Sequence, residues 1–383
     1  MTLITCQRDA YNIPRDIAYL NCAYESPLSN AVVAAGHEGI REKAQPWGTF
    51  PEDFFTHPDA ARKLFAQIIN ADSEGVAIIP SVSYGMTAAI KNLPTSKGEE
   101  ILVLKDQFPS NIYPWRKLAE GTGASVRMLS RSSNGPTWGE VICDAITDAT
   151  TVVAVPHCHW VDGAMVDLDA VAAKARAHGA ALVLDITQSA GALPINVSAI
   201  EPDFAICACY KWLMGPYSIG FMWVHPKWRK GTPVEEGWIA RKGAQDFARL
   251  VDYQDEYEPG ARRFDMGERS QFQLLPMAAA GMKQLLDWGV ENIATTLGAR
   301  SEDTAARAAK YGFRSLPVGT RAGHYLGLIH DDGLPDRMVE RMIQHNVYIS
   351  VRGPSVRVTP HLYVTDEDVD RLMDALAKEL GSA

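Results

Sequence analysis

The sequence predicts a two-domain α/β protein whose larger domain is a doubly wound, mostly parallel sheet. Three observations support this prediction. The chain has 383 residues, more than a single hydrophobic core usually serves. Short apolar runs alternate with helix-like segments between about residues 60 and 225. The C-terminal part changes to a mixed pattern, so a smaller α+β domain is expected to follow the sheet domain.

Strands are predicted where short runs are apolar on both faces, as a parallel sheet covered on both sides requires. Between two of these runs, a helical segment from Leu168 to His178 is expected to stop at Gly179. Strand, helix and strand in this order imply right-handed crossovers, and ligands of such sheets gather at the carboxyl ends of the strands. The predicted strands are Ile101–Leu104, Val152–Pro156, Ala181–Leu184, Phe204–Cys207 and Ile219–Val224.

The domain boundary is predicted near residue 260, within a polar and aromatic-rich stretch that interrupts the pattern. The large domain then spans residues 15–260, and residues 261–383 form the small domain together with residues 1–14. A helix is expected from Leu275 to Trp288. Thr365 is expected to cap the last helix, whose buried stripe is Val369, Leu372, Met373 and Leu376.

Charge and composition narrow the classes of partner. The net charge is −9 and no run of Lys or Arg stands out, which argues against a nucleic-acid or anionic-membrane surface. The N-terminus lacks the order of a signal peptide, and no apolar stretch is long enough to span a bilayer, so a cytoplasmic protein is expected. The six cysteines form no C-x-x-C pair and are expected to be free thiols.

Side chains suited to catalysis or ligand binding stand where the predicted strands end. Asp185 closes one apolar run, Lys211 follows another, and a third leads into Phe108. A pyridoxal enzyme needs a lysine amine for the aldehyde, a carboxylate against the pyridine nitrogen and a flat side chain over the ring. It also needs small donors at a helix N-terminus for the phosphate, which residues 80–86 offer.

The order and spacing of these residues resemble a known family. Asp185-x-x-Gln188-Ser-x-Gly, followed about 25 residues later by Tyr210-Lys211-x-Leu-x-Gly, is similar to the class V aminotransferases. These are fold-type I enzymes that use pyridoxal 5′-phosphate (PLP), and they include cysteine desulfurases, kynureninases and isopenicillin-N-epimerase-like proteins. Phe108-Pro-Ser-Asn resembles the kynureninase-type loop, and residues 19–23 and 356–363 extend the resemblance over about residues 15 to 380.

The resemblance implies a role for each matching residue. Lys211 is expected to hold PLP as a Schiff base, the internal aldimine, and to act as the catalytic acid and base. Arg357 is expected to receive the substrate carboxylate through its planar fork, and Trp160 or His159 to contact the ring or the substrate. For the cofactor, the resemblance implies that Asp185 pairs with the pyridine N–H, Gln188 donates to the phenolate oxygen, Phe108 stacks on the ring, and Val82, Ser83 and Tyr210 hold the phosphate.

Each residue also has an ordinary structural interpretation. A lysine after a strand is usually a solvated edge residue, and Asp185 could be only a helix cap. Phe108 could be a core residue, and Arg357 a structural ion-pair partner. His157-Cys158-His159 has the look of a metal pair, but no clustered third ligand is evident in the sequence, so no metal site is expected.

Three departures from the family pattern bear on function. Residues 344–356 contain no cysteine and the last one is Cys209, so a persulfide-forming cysteine desulfurase is expected to be excluded. Glu268, in the segment Gly267-Glu-Arg-Ser270, stands where relatives place a threonine that reaches the phosphate of the neighbouring subunit. Arg269 or Ser270 is expected to substitute. The third departure is Trp160, whose large side chain is expected to narrow the active site.

The expected function is a PLP-dependent reaction on a small amino acid, in a homodimer with active sites at the subunit interface. Aminotransferase is the broadest label. Phe108-Pro109 and Tyr210 favour a kynureninase-like C–C or C–S β-lyase, and an amino-acid epimerase stays open because all three reactions use the same lysine. A PLP-binding sensor without catalysis is disfavoured because Lys211, Asp185 and Arg357 are all present.

Overall fold

The computed structural model describes residues 2–132 and 135–381; residue 1 and residues 382–383, the ends of the predicted small domain, lie outside them. The helices are α1 (Asn30–Ala44), α2 (Asp53–Ile68), α3 (Val82–Asn92), α4 (Tyr113–Thr122), α5 (Trp138–Ala145), α6 (Leu168–Ala177), α7 (Val197–Ile200), α8 (Leu274–Trp288), α9 (Val290–Ala308), α10 (Met338–Gln344) and α11 (Asp366–Glu379). The strands are β1 (Ala18–Tyr19), β2 (Val76–Ile79), β3 (Glu100–Leu104), β4 (Ser125–Leu129), β5 (Thr150–Pro156), β6 (Ala181–Asp185), β7 (Phe204–Ala208), β8 (Gly220–Val224), β9 (Phe313–Arg314), β10 (Leu326–His330), β11 (Val347–Tyr348), β12 (Ser350–Arg352) and β13 (Ser355–Val358).

The large sheet has the strand order β2-β8-β7-β6-β5-β3-β4. The neighbours from β7 to β4 all pair in parallel, which confirms the predicted mostly parallel α/β fold. The strand predicted at 219–224 forms β8, which is antiparallel to both β7 and β2 and is thus an exception in the mostly parallel sheet. Residues 209–219 between β7 and β8 contain no helix, and a parallel crossover needs a longer connection, so the chain returns antiparallel.

The central strands are apolar on both faces because each face supports its own hydrophobic layer. In β6, Leu182 and Leu184 pack into one layer, whereas Val183 packs into the other with Phe204 and Ile206 of β7. Side chains of a strand alternate between faces, so a strand covered on both sides shows no polar alternation. Because these strands are buried on both faces, polar residues begin only where the strands end.

A second sheet, with the order β12-β13-β10-β9, is antiparallel throughout. The last helix, α11, packs against β1, β11, α9 and α10. Thr365 accepts a hydrogen bond from the backbone N–H of Asp368, while the Asp368 carboxylate accepts one from that of Thr365. The predicted stripe at Val369, Leu372, Met373 and Leu376 is buried. The predicted domain boundary near residue 260 stays a prediction. In the described part of the chain, every helix is too short or too polar to cross a bilayer.

Candidate active site

A cleft of about 410 Å³ opens at the carboxyl edge of the large sheet. Because β5, β6 and β7 run in parallel, their C-terminal ends meet at this edge, as do the loop after β3 and the start of α3. Seven of the ten residues predicted for the site line the cleft: Val82, Phe108, Trp160, Asp185, Gln188, Tyr210 and Lys211.

Asp185 and Lys211 are the buried charged pair of this cleft, with only 8% and 6% of their surfaces exposed. Burial raises the pKa of the Asp185 carboxyl, although a hydrogen bond from Thr187 and the charge of Lys211 oppose the shift. Burial lowers the pKa of Lys211 to about 8, with Asp185 opposing and Arg357 adding to the effect. Lys211 is therefore not a solvated edge residue, and its amine can lose its proton near neutral pH.

Asp185 does not cap a helix. Its Oδ1 accepts a hydrogen bond from the Thr187 backbone N–H at 3.0 Å, which stabilises the turn after β6. The next helix, α7, has its own N-cap in Asn196. The Thr187 side chain adds a second hydrogen bond to this carboxylate. Asp185 also lines the cleft, where its carboxylate can meet a cationic N–H.

The amide of Gln188 has a defined orientation. Its Oε1 accepts a hydrogen bond from Trp212 Nε1 at 2.8 Å, and its Nε2 donates to the Ala23 carbonyl at 3.1 Å. An indole N–H can only donate, so the amide oxygen must face Trp212. The second N–H of Gln188 then remains as a donor for a ligand oxygen.

Two aromatic rings flank the lysine amine. The Phe108 ring centre lies 5.2 Å from Lys211 Nζ, and the Tyr210 ring centre lies 5.5 Å from it. Tyr210 in turn packs on Tyr217, with 4.4 Å between ring centres. Phe108 follows β3 in a loop that lines the cleft, so its ring is a wall of the site and not part of the core.

The start of α3 is a site for an anion. Ser81 is the N-cap and accepts a hydrogen bond from the Tyr84 backbone N–H at 3.2 Å, and Val82 lines the cleft. The other first-turn N–H groups have no intrahelical partner, and the helix dipole favours negative charge there. Ser83 lies in this turn, exposed, with its Oγ 2.9 Å from that of Ser81. An anion site, a buried carboxylate at the cleft wall, a buried amine and an aromatic wall together fit PLP.

Arg357 lies in an adjoining outer cleft of about 590 Å³, which shares Phe108, Trp160, Tyr210 and Lys211 with the first. Its Nε donates to Ser350 Oγ at 2.8 Å, and its Nη1 donates to the Trp160 carbonyl and to Tyr325 Oη, each at 3.0 Å. No carboxylate of the described residues lies within ion-pair distance of Arg357. A structural ion pair therefore does not explain this arginine, whereas its fixed guanidinium suits a ligand carboxylate.

His159 is not brought to the cleft. Its Nε2 lies 3.0 Å from the Lys105 carbonyl oxygen, and its ring stacks on Trp138 with 5.6 Å between centres. His157 is also buried, and burial lowers its pKa to about 4. Of this short run, Cys158 lines the cleft.

The cross-subunit phosphate contact expected of Arg269 or Ser270 stays a prediction, although both side chains have partners within this chain. Arg269 is buried and ion-paired to Asp265, and Ser270 Oγ donates to the Phe54 carbonyl at 2.6 Å. Both side chains are therefore engaged inside their own chain.

Sequence reasoning missed several lining residues. Gln107 and Thr187 lie next to Phe108 and Gln188 in the chain and line the first cleft, and Tyr24, Glu25 and Arg352 line the outer cleft. Arg352 carried one usable signal: Gly353-Pro354 is typical of a turn between two strands, and a hairpin there brings Arg352 near Arg357.

Comparison with known proteins supports the same family. Residues 22–317 match the family model described as aminotransferase class V. An uncharacterized aminotransferase of Bacillus subtilis, YcbU, is 27% identical over 358 residues, which cover 93% of this chain and 91% of that protein. A probable cysteine desulfurase of Streptomyces coelicolor is 23% identical and covers 83% of this chain and 80% of its own.

Among solved structures, C-DES with glycine covalently linked to its PLP cofactor has a TM-score of 0.87. It is 20% identical and covers 98% of this chain and 100% of that chain, a likeness that shows the fold. A second structure contains the cystine C–S lyase C-DES with its reaction product, cysteine persulfide; its TM-score is 0.84 at 20% identity, and it covers 95% of this chain and 98% of that one.

These comparisons correct one expectation from the sequence. The exclusion of persulfide-forming desulfurases rested on the missing cysteine in residues 344–356, but relatives and structural neighbours are cysteine desulfurases, and C-DES yields cysteine persulfide. Cystine already contains an S–S bond, so breaking its C–S bond leaves a persulfide without any protein cysteine. The missing cysteine is therefore no ground for the exclusion.

Proposed function

Because the chain belongs to the class V aminotransferase family, whose cofactor is PLP, we propose that it acts at the Cα of a small amino acid with Lys211 as the catalytic base. The observation that carries this proposal is the buried Lys211 amine, with a pKa of about 8, in a cleft between Asp185 and Arg357. A group of that pKa can change its protonation state in each turnover near neutral pH.

The cleft residues divide the work of holding the cofactor. Lys211 would bond to its aldehyde, and the Asp185 carboxylate would pair with its pyridine N–H. Gln188 would donate its free N–H to the phenolate oxygen, and Phe108 would cover the ring. The N-terminus of α3 at Val82 would hold the phosphate, with Ser83 and Tyr210 beside it. When bound, PLP supplies an electron sink for the electrons released at Cα.

The substrate would enter from the outer cleft. Arg357 would hold the α-carboxylate through Nη2, because Ser350, Tyr325 and Trp160 of the described residues accept from Nε and Nη1. Lys211 Nζ would take the proton from Cα. Phe108 and Trp160 pack edge to face, with 5.3 Å between ring centres, and would exclude water from this proton transfer.

For the reaction itself, we infer cleavage of a C–S bond at Cβ. Relatives named as cysteine desulfurases and the neighbour named as a cystine C–S lyase support this inference. The outer cleft, at about 590 Å³, has room beyond Cβ for a leaving group. In the overall elimination the substrate loses its Cα proton and its sulfur group, and water then releases pyruvate and ammonia. Transamination, C–C cleavage and epimerisation are the alternative outcomes.

Borohydride trapping tests the lysine. We expect reduction of the PLP-loaded protein to fix the pyridoxyl group on Lys211, as read by peptide mass spectrometry, and Lys211→Ala to abolish both this label and turnover. Lys230→Ala, a change at an exposed lysine, is the control and should leave both intact. A pyridoxyl group on another lysine would overturn the assignment.

An amino-acid panel tests the reaction. L-Cystine, L-cysteine, L-kynurenine and L- and D-alanine are each incubated with the loaded protein, with and without a keto acid. Pyruvate and ammonia released from cystine or cysteine without a keto acid is the expected result. An absolute requirement for the keto acid would indicate transamination, anthranilate release would indicate C–C cleavage, and loss of chirality alone would indicate epimerisation.

We further propose that the chain works as a homodimer. Trp47 and Phe50 in one segment and Tyr253 in another are large exposed aromatic residues. Close to them along the chain, Phe54 packs on Phe247, with 5.2 Å between ring centres. Such an apolar surface is typical of an interface. Light scattering should give twice the chain mass for the active protein, and an active monomer would contradict the proposal.

A further inference from the structure

The hairpin of β12 and β13 carries two arginines on one face. Arg357 pairs in register with Ser350, and Arg352 pairs with Ser355. Ser350 and Arg352 are two positions apart on β12, so they face the same side, and cross-strand partners also share a side. Arg352 and Arg357 therefore both project toward the outer cleft, which both of them line.

The two guanidinium groups converge on the indole of Trp160. Their central carbons lie 5.4 Å (Arg352) and 5.6 Å (Arg357) from its ring centre. Trp160 is fixed in turn because its Nε1 donates to the Asp106 carbonyl at 2.5 Å. The ring attracts each cation, but the charge of Arg357 acts unfavourably on that of Arg352 unless an anion joins them.

The outer cleft has more positive than negative charge. Arg352, Arg357 and Lys211 line it, and Glu25 is its one acidic lining residue. Across residues 2–132 and 135–381, neither arginine has a carboxylate within ion-pair distance; Arg352 donates its Nη1 to the Val351 carbonyl at 2.8 Å. Burial and the neighbouring Arg357 lower the pKa of Arg352, which agrees with a missing counter-charge. The α-carboxylate of the substrate would pair with Arg357, which leaves Arg352 without an anionic partner.

We propose that Arg352 forms a second anion subsite, so that the preferred substrate is an amino acid whose Cβ substituent ends in a carboxylate. This inference rests on the proposed function, in which Arg357 holds the α-carboxylate. Both arginines lie on one indole ring, so a single small molecule can reach both. In a C–S cleavage, the group bound at Arg352 is the acidic tail of the leaving thiol or persulfide.

The first test measures binding alone and needs no turnover. Glutarate and butyrate, which differ by one carboxylate, are titrated into the PLP-loaded enzyme while the cofactor absorbance is followed. We expect glutarate to bind at least about tenfold more tightly, the worth of one charge-assisted contact. In Arg352→Gln this ratio should fall to about one, and Arg352→Lys should restore part of it. Arg337→Gln, at an exposed arginine, should keep the wild-type ratio.

The second test compares two mixed disulfides of cysteine, one with 3-mercaptopropionate and one with propanethiol. The acidic disulfide should have a kcat/KM about tenfold higher or more, mostly through KM, and Arg352→Gln should remove this preference. Equal binding of glutarate and butyrate, with both disulfides cleaved alike, would overturn the subsite and leave the proposed function standing. Preferred glutarate binding without cleavage of either disulfide would support the subsite and overturn the C–S lyase proposal.

Discussion

Asp265 and Asp185 are both buried aspartates beside the large sheet, but their surroundings are opposite. Asp265 accepts two hydrogen bonds from Arg62, another from Arg269 and one from the Ile78 backbone N–H at 2.8 Å. These partners outweigh burial and hold the pKa of its carboxyl below the usual range. Asp185 receives hydrogen bonds from the backbone and the side chain of Thr187, and burial still raises its pKa.

The difference separates a structural acid from a functional one. Asp265 is complete inside its own chain, where it joins residues beyond 260 to α2 and β2. Asp185 is buried at the wall of a cleft, where Thr187 and the charge of Lys211 offset only part of the effect of burial, and a perturbed carboxyl in a cleft is typical of a functional site. Whether a buried acid finds all its hydrogen-bond and ion-pair partners within the chain is thus a better guide to function here than its burial or its charge.

The largest effect is expected for Asp265→Asn. Removing this charge leaves Arg62 and Arg269 buried without a counter-ion, so the free energy of unfolding should fall by about 3–5 kcal/mol. Urea unfolding of the cofactor-free protein measures the change, with Asp374→Asn at an exposed site as control. A loss of less than about 1 kcal/mol would mean that the cluster is not the structural centre inferred here.

Asp185→Asn should have the opposite profile. The cofactor-free protein should lose little stability, because a neutral amide removes a carboxylate whose ionisation burial opposes. Wild type should also lose stability as pH rises through the window between the unfolded and the raised folded pKa, and the variant should not. Turnover should fall roughly 100-fold or more, since the charge against the pyridine nitrogen is gone. Near-normal turnover would reduce Asp185 to a turn residue.

The smallest effect is expected for Lys211, the charged neighbour of Asp185 in the cleft. Only a neutral amine attacks an aldehyde, and the pKa of Lys211 is lowered to about 8. The rate constant for PLP attachment to the cofactor-free protein should therefore rise about tenfold from pH 7 to about pH 9 and then level off. Stopped-flow absorbance measures it. A rate still rising steeply at about pH 10 would place the pKa near that of an ordinary lysine.

The sequence could predict the strand-end residues because their position follows from a simple rule. A run apolar on both faces must end where the chain leaves the core, so Asp185 and Lys211 had to stand at the ligand-binding edge. The same reasoning could not give the direction of β8, which depends on how residues 209–219 turn back.

The sequence could not predict the role of residues when that role depends on contacts made in three dimensions. Arg352 faces the cleft only because of its register with Ser355, and one residue of slip would turn it away. His159 is adjacent to cleft residues in the chain but turns toward Lys105 and Trp138. From the sequence, Arg269 is a candidate phosphate ligand, but in the structure it forms an ion pair with Asp265.

The position of β2 at the edge of the sheet has a consequence for the order of folding. β2 pairs with β8 alone, although some 140 residues of chain separate the two strands. The anion site at Val82 begins directly after β2, so it cannot join Asp185 and Lys211 until the chain is made and folded as far as residue 224. Such distant pairings form late, after more local contacts have formed. Bound cofactor should accordingly slow the unfolding of this protein much more than it speeds its folding.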